Sequence, residues 1–157
     1  VAGDVGGVTE MRPGVYVFFD LVMANVGVCG LDDIALSVLT TVIGHQPAKG
    51  WAIVDAGWMA MSRDRGTADQ AVDYGYGQVC DLDGRPIAGA TLVGANQEHG
   101  IVSIAGSEPA AITGRLPVGT LVRVLPNHAC ATGAQHDHYQ TVDGRVPGEV
   151  WSRFSGW

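Results

Sequence analysis

Short apolar segments separated by turn residues dominate this sequence and constrain its fold most. Runs rich in β-branched and aromatic residues alternate with Pro-Gly, Asp-Gly and similar turn pairs, and the chain contains 23 glycines. Glycine destabilises helices, whereas β-branched and aromatic side chains favour extended backbone. Several short strands with turn signals between them are typical of a β-sandwich or a β-barrel. We therefore predict a mainly all-β domain with one of these two architectures.

The segments with the strongest strand character can be placed along the chain. We predict strands at 15–22, 35–43, 51–55, 90–97, 100–105, 119–125, 139–142 and 145–150. The second and third of these strands are expected to pair as a hairpin. Asp83-Gly84 and Asp143-Gly144 carry the residue pair that is typical of tight hairpin turns.

Asp20 is the one charged residue inside the first predicted strand. Carboxylates are rarely buried unless a cation or hydrogen-bond donors compensate them. Asp20 is therefore expected to face solvent or to contact a cation such as Arg12.

Composition limits the classes of partner that this chain can have. Its 157 residues suit one domain, and we expect residues 10–157 to form it, with residues 1–9 as a linker or a severed loop. The net charge of −7 argues against a nucleic-acid partner. No apolar run reaches the ~18 residues that span a membrane. Charged residues make up only 16%, below the usual quarter or so, which predicts a face that packs against another domain or subunit.

The cysteines indicate the redox environment. The chain has only three cysteines, Cys29, Cys80 and Cys130. Three cysteines cannot all pair and these lie far apart in the sequence, so they do not form a disulfide framework. Free thiols persist in reducing compartments. We therefore expect three free thiols and a cytoplasmic location.

The clearest candidate for chemistry is His128-Ala129-Cys130, which follows the predicted strand 119–125. In an extended backbone alternate side chains lie on the same face, so His128 and Cys130 are expected to point to one side. Both are common zinc ligands, but a structural zinc site usually has four protein ligands, often in Cys-x-x-Cys pairs, which this chain lacks. Two interpretations stay open: an open metal site of the kind that catalysis uses, or a buried cysteine beside a histidine bonded to the backbone.

Three further groups could take part in such a site. Glu98-His99 could orient a ligand if Gly100 lets the backbone bend, or it could be a polar hairpin turn. His136-Asp137-His138 could add a metal ligand or a supporting carboxylate, or it could be a solvated loop. Lys49 is the only lysine and thus the sole candidate for a Schiff base, although its Pro-Ala-Lys-Gly setting is a poor place to desolvate an amine.

Several stretches together resemble one family of enzymes. In chain order they are 12–18 (Arg-Pro-Gly-Val-Tyr-Val-Phe), 54–57 (Val-Asp-Ala-Gly), 98–100 (Glu-His-Gly), 126–132 (Pro-Asn-His-Ala-Cys-Ala-Thr), 136–137 (His-Asp) and 151–157 (Trp-Ser-Arg-Phe-Ser-Gly-Trp). From about Glu10 onward the sequence resembles the C-terminal domain of the D-serine dehydratase and D-threonine aldolase family. These are pyridoxal-phosphate (PLP) enzymes with the alanine-racemase type of fold.

The resemblance implies a fold, a site and a missing partner. The chain would be the C-terminal β-barrel or sandwich domain, with His128 and Cys130 as ligands of zinc or another divalent metal. The PLP lysine and most PLP-binding residues would lie in an N-terminal (β/α)8 barrel, in cis or as a separate chain. This chain would therefore hold no catalytic lysine and would be inactive alone. The complete enzyme would be a homodimer that converts a D-hydroxy amino acid such as D-serine into a 2-oxo acid and ammonia.

Two positions bear on the subfamily that the resemblance implies. Aldolases of the family tend to have His-x-Asp where this chain has His128-Ala129-Cys130, so Cys130 favours a dehydratase. Related sequences often read Asp-Ala-Gly-x-Lys-Ala, whereas Met59 stands at the lysine position here. The alternatives are a D-threonine aldolase or related racemase, and a β module without catalysis that binds a metal or another protein.

Overall fold

The computed structural model describes residues 6–7, 9–10, 14–143 and 146–154. Six strands form a closed barrel: β1 (Val38–Gln46), β2 (Trp51–Val54), β3 (Gly77–Cys80), β4 (Pro86–Ala95), β5 (Gly100–Ile104) and β6 (Leu121–Pro126). Around the barrel the order is β1-β2-β5-β4-β3-β6, and each neighbouring pair is antiparallel. The prediction of a mainly all-β domain is confirmed, and the structure is a barrel rather than a sandwich.

Short helices and one hairpin complete the described part of the chain. The helices are α1 (Leu21–Asn25), α2 (Trp58–Met61), α3 (Ile112–Arg115) and α4 (Ala129–Gly133), and 3-10 turns span Val15–Val17, Leu31–Asp33, Pro47–Lys49 and Pro109–Ala111. Strands β7 (His138–Asp143) and β8 (Val146–Ser152) pair only with each other. Among the described residues, no helix is long and apolar enough to cross a membrane.

Alternation of side chains along the strands fills the barrel. In β5, Gly100, Val102 and Ile104 are buried, while Ile101 and Ser103 between them are partly exposed. Because successive side chains of a strand point to opposite faces, this pattern places one row inside the barrel. The other strands contribute more of the apolar interior, including Val42, Ala52, Val54, Val79, Ala90, Leu92, Val122 and Val124.

A second apolar cluster lies where α1 packs near strands β3 and β6. It contains Leu21 from α1, Ile34, Cys80 from β3 and Leu125 from β6. This packing explains why β6 departs from alternation at its end, where Leu125 and Pro126 are both buried. The end of β6, from which the next residues continue, is therefore buried on both faces of the strand.

Strand and turn predictions from the sequence agree with most of this architecture. The predicted strands 35–43, 51–55, 90–97, 100–105 and 119–125 correspond to β1, β2, β4, β5 and β6, and β1 pairs with β2 as predicted. Asp83-Gly84 lies in the turn between β3 and β4, where Gly84 has a φ of +82° that favours glycine. The last two predicted strands correspond to β7 and β8, although Gly144 of their predicted turn lies outside the described residues.

The predicted strand at 15–22 is wrong. This segment forms the 3-10 turn Val15–Val17 and the start of α1. Asp20 caps α1 by accepting a hydrogen bond from the backbone N–H of Met23, and Phe19 before it has a φ of +53°. The cap satisfies a helix N–H that has no partner within the helix, and this outweighs the strand preference of the neighbouring side chains.

Asp55, from the 54–57 stretch, joins the ends of β1 and β2. Its carboxylate accepts hydrogen bonds from the hydroxyl of Thr40 and the backbone N–H of Thr41. Partial burial opposes the charged form of Asp55, but the hydrogen bonds outweigh the burial and lower its pKa. The ionised carboxylate of Asp55 is thus part of the barrel's own hydrogen bonding.

Candidate functional site

His128 and Cys130, called the donor pair below, lie where β6 leads into α4. His128 is the N-cap residue of α4, with a φ of −136°, and Cys130 lies in the first turn of that helix. The expectation that extended backbone places both on one strand face is wrong, because the chain becomes helical at Ala129. The start of α4 is held by Asp20, whose carboxylate accepts the backbone N–H of Ala129 at 3.0 Å.

Asp20 therefore connects the starts of two helices. One carboxylate oxygen accepts the N–H of Met23 in α1, and the other accepts the N–H of Ala129 in α4. Asp20 is only 2% exposed, so the expectation that it faces solvent is wrong. Backbone N–H groups satisfy the buried carboxylate instead. Arg12, the cation suggested by the sequence, lies outside the described residues.

Both members of the donor pair have an atom open to a ligand. Nδ1 of His128 faces Oδ2 of Asp64 at 2.8 Å. Within the described part of the chain, nothing hydrogen-bonds to Nε2 of His128 or to Sγ of Cys130. The side chain of His128 is 45% exposed, and Cys130 is exposed as well. Imidazole nitrogen and thiolate sulfur form a donor set that suits zinc.

A metal on the donor pair would keep open coordination positions. The residues that the structure describes include no group of three or more His, Cys, Asp or Glu side chains that could hold a metal ion. A metal on His128 and Cys130 would thus take its other ligands from water, substrate or the rest of the protein. Open positions of this kind are what a metal needs to act as a Lewis acid.

Asn127 ties the donor pair to the loop that carries Asp64. Its side chain is 2% exposed. The amide nitrogen donates to the backbone carbonyls of Asp64 and Gly75, and the amide oxygen accepts from the hydroxyl of Thr67. Because every polar atom of this buried amide has a partner, Asn127 holds the loop against the end of β6.

Asp64 is absent from the candidates that the sequence suggests. The run Asp64-Arg65-Gly66 is consistent with an Asx turn, in which an aspartate accepts the N–H two residues further on. The N–H of Gly66 does donate to Oδ1 of Asp64, at 2.7 Å. The turn could therefore have been predicted, but not its contact with His128, which lies 64 positions away in the chain.

Glu98 and His99 lie in the turn between β4 and β5. Both are exposed, and Nε2 of His99 accepts a hydrogen bond from the side chain of Asn96 at 3.1 Å. Helix α2 starts against this turn, since the backbone N–H of Trp58 donates to the carbonyl of Asn96. Among the described contacts, none joins Glu98 or His99 to the donor pair, and the segment has the form of a polar hairpin turn.

His136, Asp137 and His138 lie between α4 and the start of β7. Nε2 of His136 donates to the backbone carbonyl of Ala60 in α2 at 3.0 Å. The ring of His138 hydrogen-bonds to the carboxylate of Asp137, and this contact lowers the pKa of Asp137. The described hydrogen bonds and ion pairs of these three residues do not include the donor pair.

Lys49 and Met59 are accounted for by other contacts. The ammonium group of Lys49 lies 4.4 Å from the ring centre of Trp51, which is a cation–π contact at the β1–β2 connection. Met59 is exposed on α2. Met61 on the same helix is buried in the barrel core.

The three cysteines are free thiols, as predicted, but their environments differ. Cys80 is fully buried, and this burial, with a smaller contribution from the charge of Asp81, raises its pKa to about 12. A thiol with such a pKa stays protonated near neutral pH and is a poor nucleophile and a poor metal ligand. Cys130 is the exposed thiol of the three and is therefore the one placed to bind a ligand.

Comparison with known proteins finds similarity to dehydratases. Residues 35–142 match a family model described as "Putative serine dehydratase domain". The chain is 65% identical to D-threo-3-hydroxyaspartate dehydratase of Delftia sp. strain HT23 over an alignment of 159 positions, which covers 99% of this chain and 41% of the relative. It is 30% identical to D-serine dehydratase of Dictyostelium discoideum over 140 residues, covering 87% of this chain and 34% of the relative.

Solved structures agree with these matches. The structure of the Delftia dehydratase superimposes with a TM-score of 0.91 at 64% identity, covering 99% of this chain and 41% of that one. An alanine-racemase-like protein from Idiomarina loihiensis superimposes with a TM-score of 0.87 at 47% identity, covering 98% of this chain and 40% of that one. Two further structures are of single mutants of D-threo-3-hydroxyaspartate dehydratase. One carries alanine in place of a histidine, and the other carries alanine in place of a cysteine two positions later and is in the metal-free form.

The similarity covers almost the whole chain but less than half of each relative. The chain spans about 41% of the length of the Delftia enzyme and 34% of the Dictyostelium enzyme. The family model covers more than half of the chain, and its range includes β1 to β6 and the donor pair. The chain therefore belongs to the serine dehydratase domain family, with the alanine-racemase-like β-barrel that the sequence resemblance implied.

Proposed function

We propose that this chain is the metal-bearing β domain of a PLP-dependent lyase that dehydrates D-hydroxy amino acids. The observation that carries the proposal is the donor pair, since neither Nε2 of His128 nor Sγ of Cys130 hydrogen-bonds to a residue that the structure describes, and both side chains are exposed. The mutated histidine and cysteine of the related dehydratase have the same spacing, and the cysteine mutant is metal-free. This agreement supports zinc or another divalent metal on His128 and Cys130.

In the proposed reaction, PLP and the metal supply the chemistry, and the residues of this chain bind and orient the metal. When bound, PLP supplies an electron sink for the α-carbon of the substrate, and the metal supplies a Lewis acid for the departing hydroxyl group. His128 and Cys130 provide the nitrogen and sulfur donors. Asp20 fixes the first turn of α4, and Asn127 fixes the strand end before it, so the donors are held on rigid elements.

The relatives and Cys130 support a particular class of substrate. The more similar relative is named for D-threo-3-hydroxyaspartate and the other for D-serine. Both carry a hydroxyl group on the β-carbon, which is the group lost in dehydration. Cys130, in place of the aspartate that aldolases of the family tend to have, supports loss of water over cleavage of the Cα–Cβ bond.

The reaction products of the complete protein test this function. We expect D-threo-3-hydroxyaspartate to give oxaloacetate and ammonia, and D-serine to give pyruvate and ammonia, in equal amounts of 2-oxo acid and ammonia. Chelation of the metal should abolish the reaction, and zinc should restore it. Glycine plus an aldehyde from D-threonine, with no 2-oxo acid, would instead identify an aldolase. If the complete protein contains no PLP and has neither activity, the remaining interpretation is a β module without catalysis.

We further propose that the remainder of the protein packs against the β7–β8 hairpin. Strand β8 is exposed along its whole length, and Val146, Val150 and Trp151 present apolar surface there. A groove of about 650 Å3, lined mainly by apolar side chains, runs between this hairpin and strands β1 and β6. A hairpin of two strands is only marginally stable alone, and exposed apolar patches mark interaction surfaces. The occupant is the part of the protein that carries the PLP barrel, in cis or in the second subunit of a homodimer.

Phe154 lies two residues beyond the end of β8 and tests this packing at the edge of the hairpin. Its side chain is 98% exposed in this domain, so Phe154→Ser should not affect contacts within the domain. Burial of a phenylalanine contributes roughly 1.5–3 kcal/mol, so the same mutation should lower the stability of the complete protein by about 2 kcal/mol. Thermal unfolding of the complete protein measures the loss. Val118→Ser, at an exposed loop position outside the hairpin, is the control, and equal melting temperatures for the two variants would contradict the packing proposal.

A further inference from the structure

We infer that Asp64 is a positioning residue that fixes the orientation and tautomer of His128 so that Nε2 faces the metal. This inference rests on the proposed metal-binding role of the donor pair. It assigns a task to a residue outside the His-x-Cys motif, on a loop 64 positions earlier in the chain.

The contact between the two side chains determines which ring nitrogen is available. Oδ2 of Asp64 lies 2.8 Å from Nδ1 of His128. A carboxylate only accepts hydrogen bonds, so Nδ1 must carry the proton and donate it. In the neutral ring the lone pair then lies on Nε2, which is the nitrogen without a partner among the described residues. The free protein thus already holds the tautomer that a metal requires.

The carboxylate of Asp64 is itself held in place. Its second oxygen, Oδ1, accepts the backbone N–H of Gly66 at 2.7 Å, and its own backbone N–H donates to the hydroxyl of Ser62 at 3.2 Å. The backbone carbonyl of Asp64 accepts from the side chain of Asn127 at 2.9 Å. Because Asn127 precedes His128 directly, the same short segment of chain fixes both partners of the contact.

Gly66 shows how closely this turn is packed. A Cβ atom added to Gly66 would lie 2.8 Å from Cγ2 of Val22 in α1 and 2.9 Å from Oδ1 of Asp64. The backbone of the turn therefore sits against α1 with no space for a side chain. Since Asp20 accepts a backbone N–H from the start of both α1 and α4, the turn, the two helix starts and the donor pair form one connected unit.

Asp64 is placed to support the ligand rather than to act as one. The described residues do not bring Asp64 together with His128 and Cys130 as a set of three metal donors. Oδ1 and Oδ2 of Asp64 are both engaged, by Gly66 and by His128. Proteins commonly orient a histidine ligand by a carboxylate that accepts a hydrogen bond from the ring nitrogen that does not bind the metal.

Zinc affinity of the complete protein tests the inference. We expect Asp64→Ala to weaken zinc binding about 10- to 100-fold, the range typical of losing a supporting partner, while the stoichiometry at saturating zinc stays that of the wild type. Asp64→Asn keeps one acceptor oxygen for two N–H donors, so its zinc affinity should lie between that of Asp64→Ala and that of the wild type. Competition with a chelator measures the dissociation constants. Asp73→Asn is the matched control, because Asp73 lies close in sequence and pairs with Arg65 rather than with His128.

A second readout separates positioning from a general structural role. In the metal-free complete protein, 15N NMR of the His128 ring should show the proton on Nδ1 in the wild type and a mixture of tautomers in Asp64→Ala. Wild-type zinc affinity and an unchanged tautomer in Asp64→Ala would overturn the inference while leaving the metal site intact. Loss of zinc stoichiometry in Asp64→Ala to the level of His128→Ala would also overturn it, since Asp64 would then be a ligand. If His128→Ala itself retains zinc, the proposed metal site fails, and the inference fails with it.

Discussion

Replacing either member of the donor pair is expected to remove the metal and leave the fold intact. In His128→Ala and in Cys130→Ser, bound zinc should fall from about one ion per chain to almost none. Each mutation leaves a single member of the donor pair, and one protein ligand is too few to bind zinc specifically. Lyase activity should fall by more than about 100-fold, beyond the effect of losing a supporting hydrogen bond. Because both side chains are substantially exposed, the free energy of unfolding should change by less than about 1 kcal/mol.

Metal analysis, activity and thermal unfolding of the complete protein together check this result. Cys29→Ser is the matched control for Cys130→Ser, since Cys29 is a free thiol outside the donor pair. Unchanged zinc content in both His128→Ala and Cys130→Ser would refute the metal assignment. Zinc loss that occurs only together with unfolding would show that these residues are structural, contrary to the proposal.

Asn127→Ala is expected to have the largest effect on stability among the residues near the site. The mutation leaves the carbonyls of Asp64 and Gly75 without their amide donor and removes the acceptor of the Thr67 hydroxyl, all at a buried position. Unsatisfied buried polar groups cost roughly 1–3 kcal/mol each, partly relieved by water, so we expect a loss of about 3 kcal/mol. Zinc affinity should fall as well, because the loop that carries Asp64 loses its anchor.

Thermal unfolding and zinc competition on the complete protein measure both effects of Asn127→Ala. Gln135→Ala removes an amide of similar chemistry from an exposed position and should change stability by less than about 0.5 kcal/mol. If Asn127→Ala is as stable as Gln135→Ala, then Asn127 does not anchor the loop. If it is destabilised but binds zinc as tightly as the wild type, the loop and the metal site are not coupled.

Most strands of the barrel could be predicted because their signals are local. The β-branched runs that become β1, β2, β5 and β6 carry their preference in their own side chains. The Asp83-Gly84 turn is likewise decided by the backbone freedom of Gly84. The error at 15–22 has two causes, both at Asp20. Its cap on Met23 is a local helix signal that outweighs the strand preference, and its second donor, Ala129, lies 109 positions away, in a contact that only the folded chain contains.

The structure corrects the expected geometry of the candidate site. Strand alternation predicts that His128 and Cys130 share a strand face, yet the two residues lie at the cap and first turn of α4. The proposed pairing of His128 and Cys130 as metal donors therefore depends on the helix start rather than on a pleated strand. Glu98 and His99 are candidates for orienting a ligand by residue type, but the barrel places them in the β4–β5 turn.

The sequence by itself determined the strand content, the hairpin turns and the presence of a histidine and a cysteine with metal-binding spacing. These features depend on neighbours along the chain, where backbone preference and side-chain chemistry act directly. Only the tertiary structure decided that the strands close into a barrel, that Asp20 is buried between two helix starts, and that Asp64 lies in hydrogen-bond contact with His128. Contacts between residues far apart in sequence are set by how the whole core packs, and no local pattern specifies them.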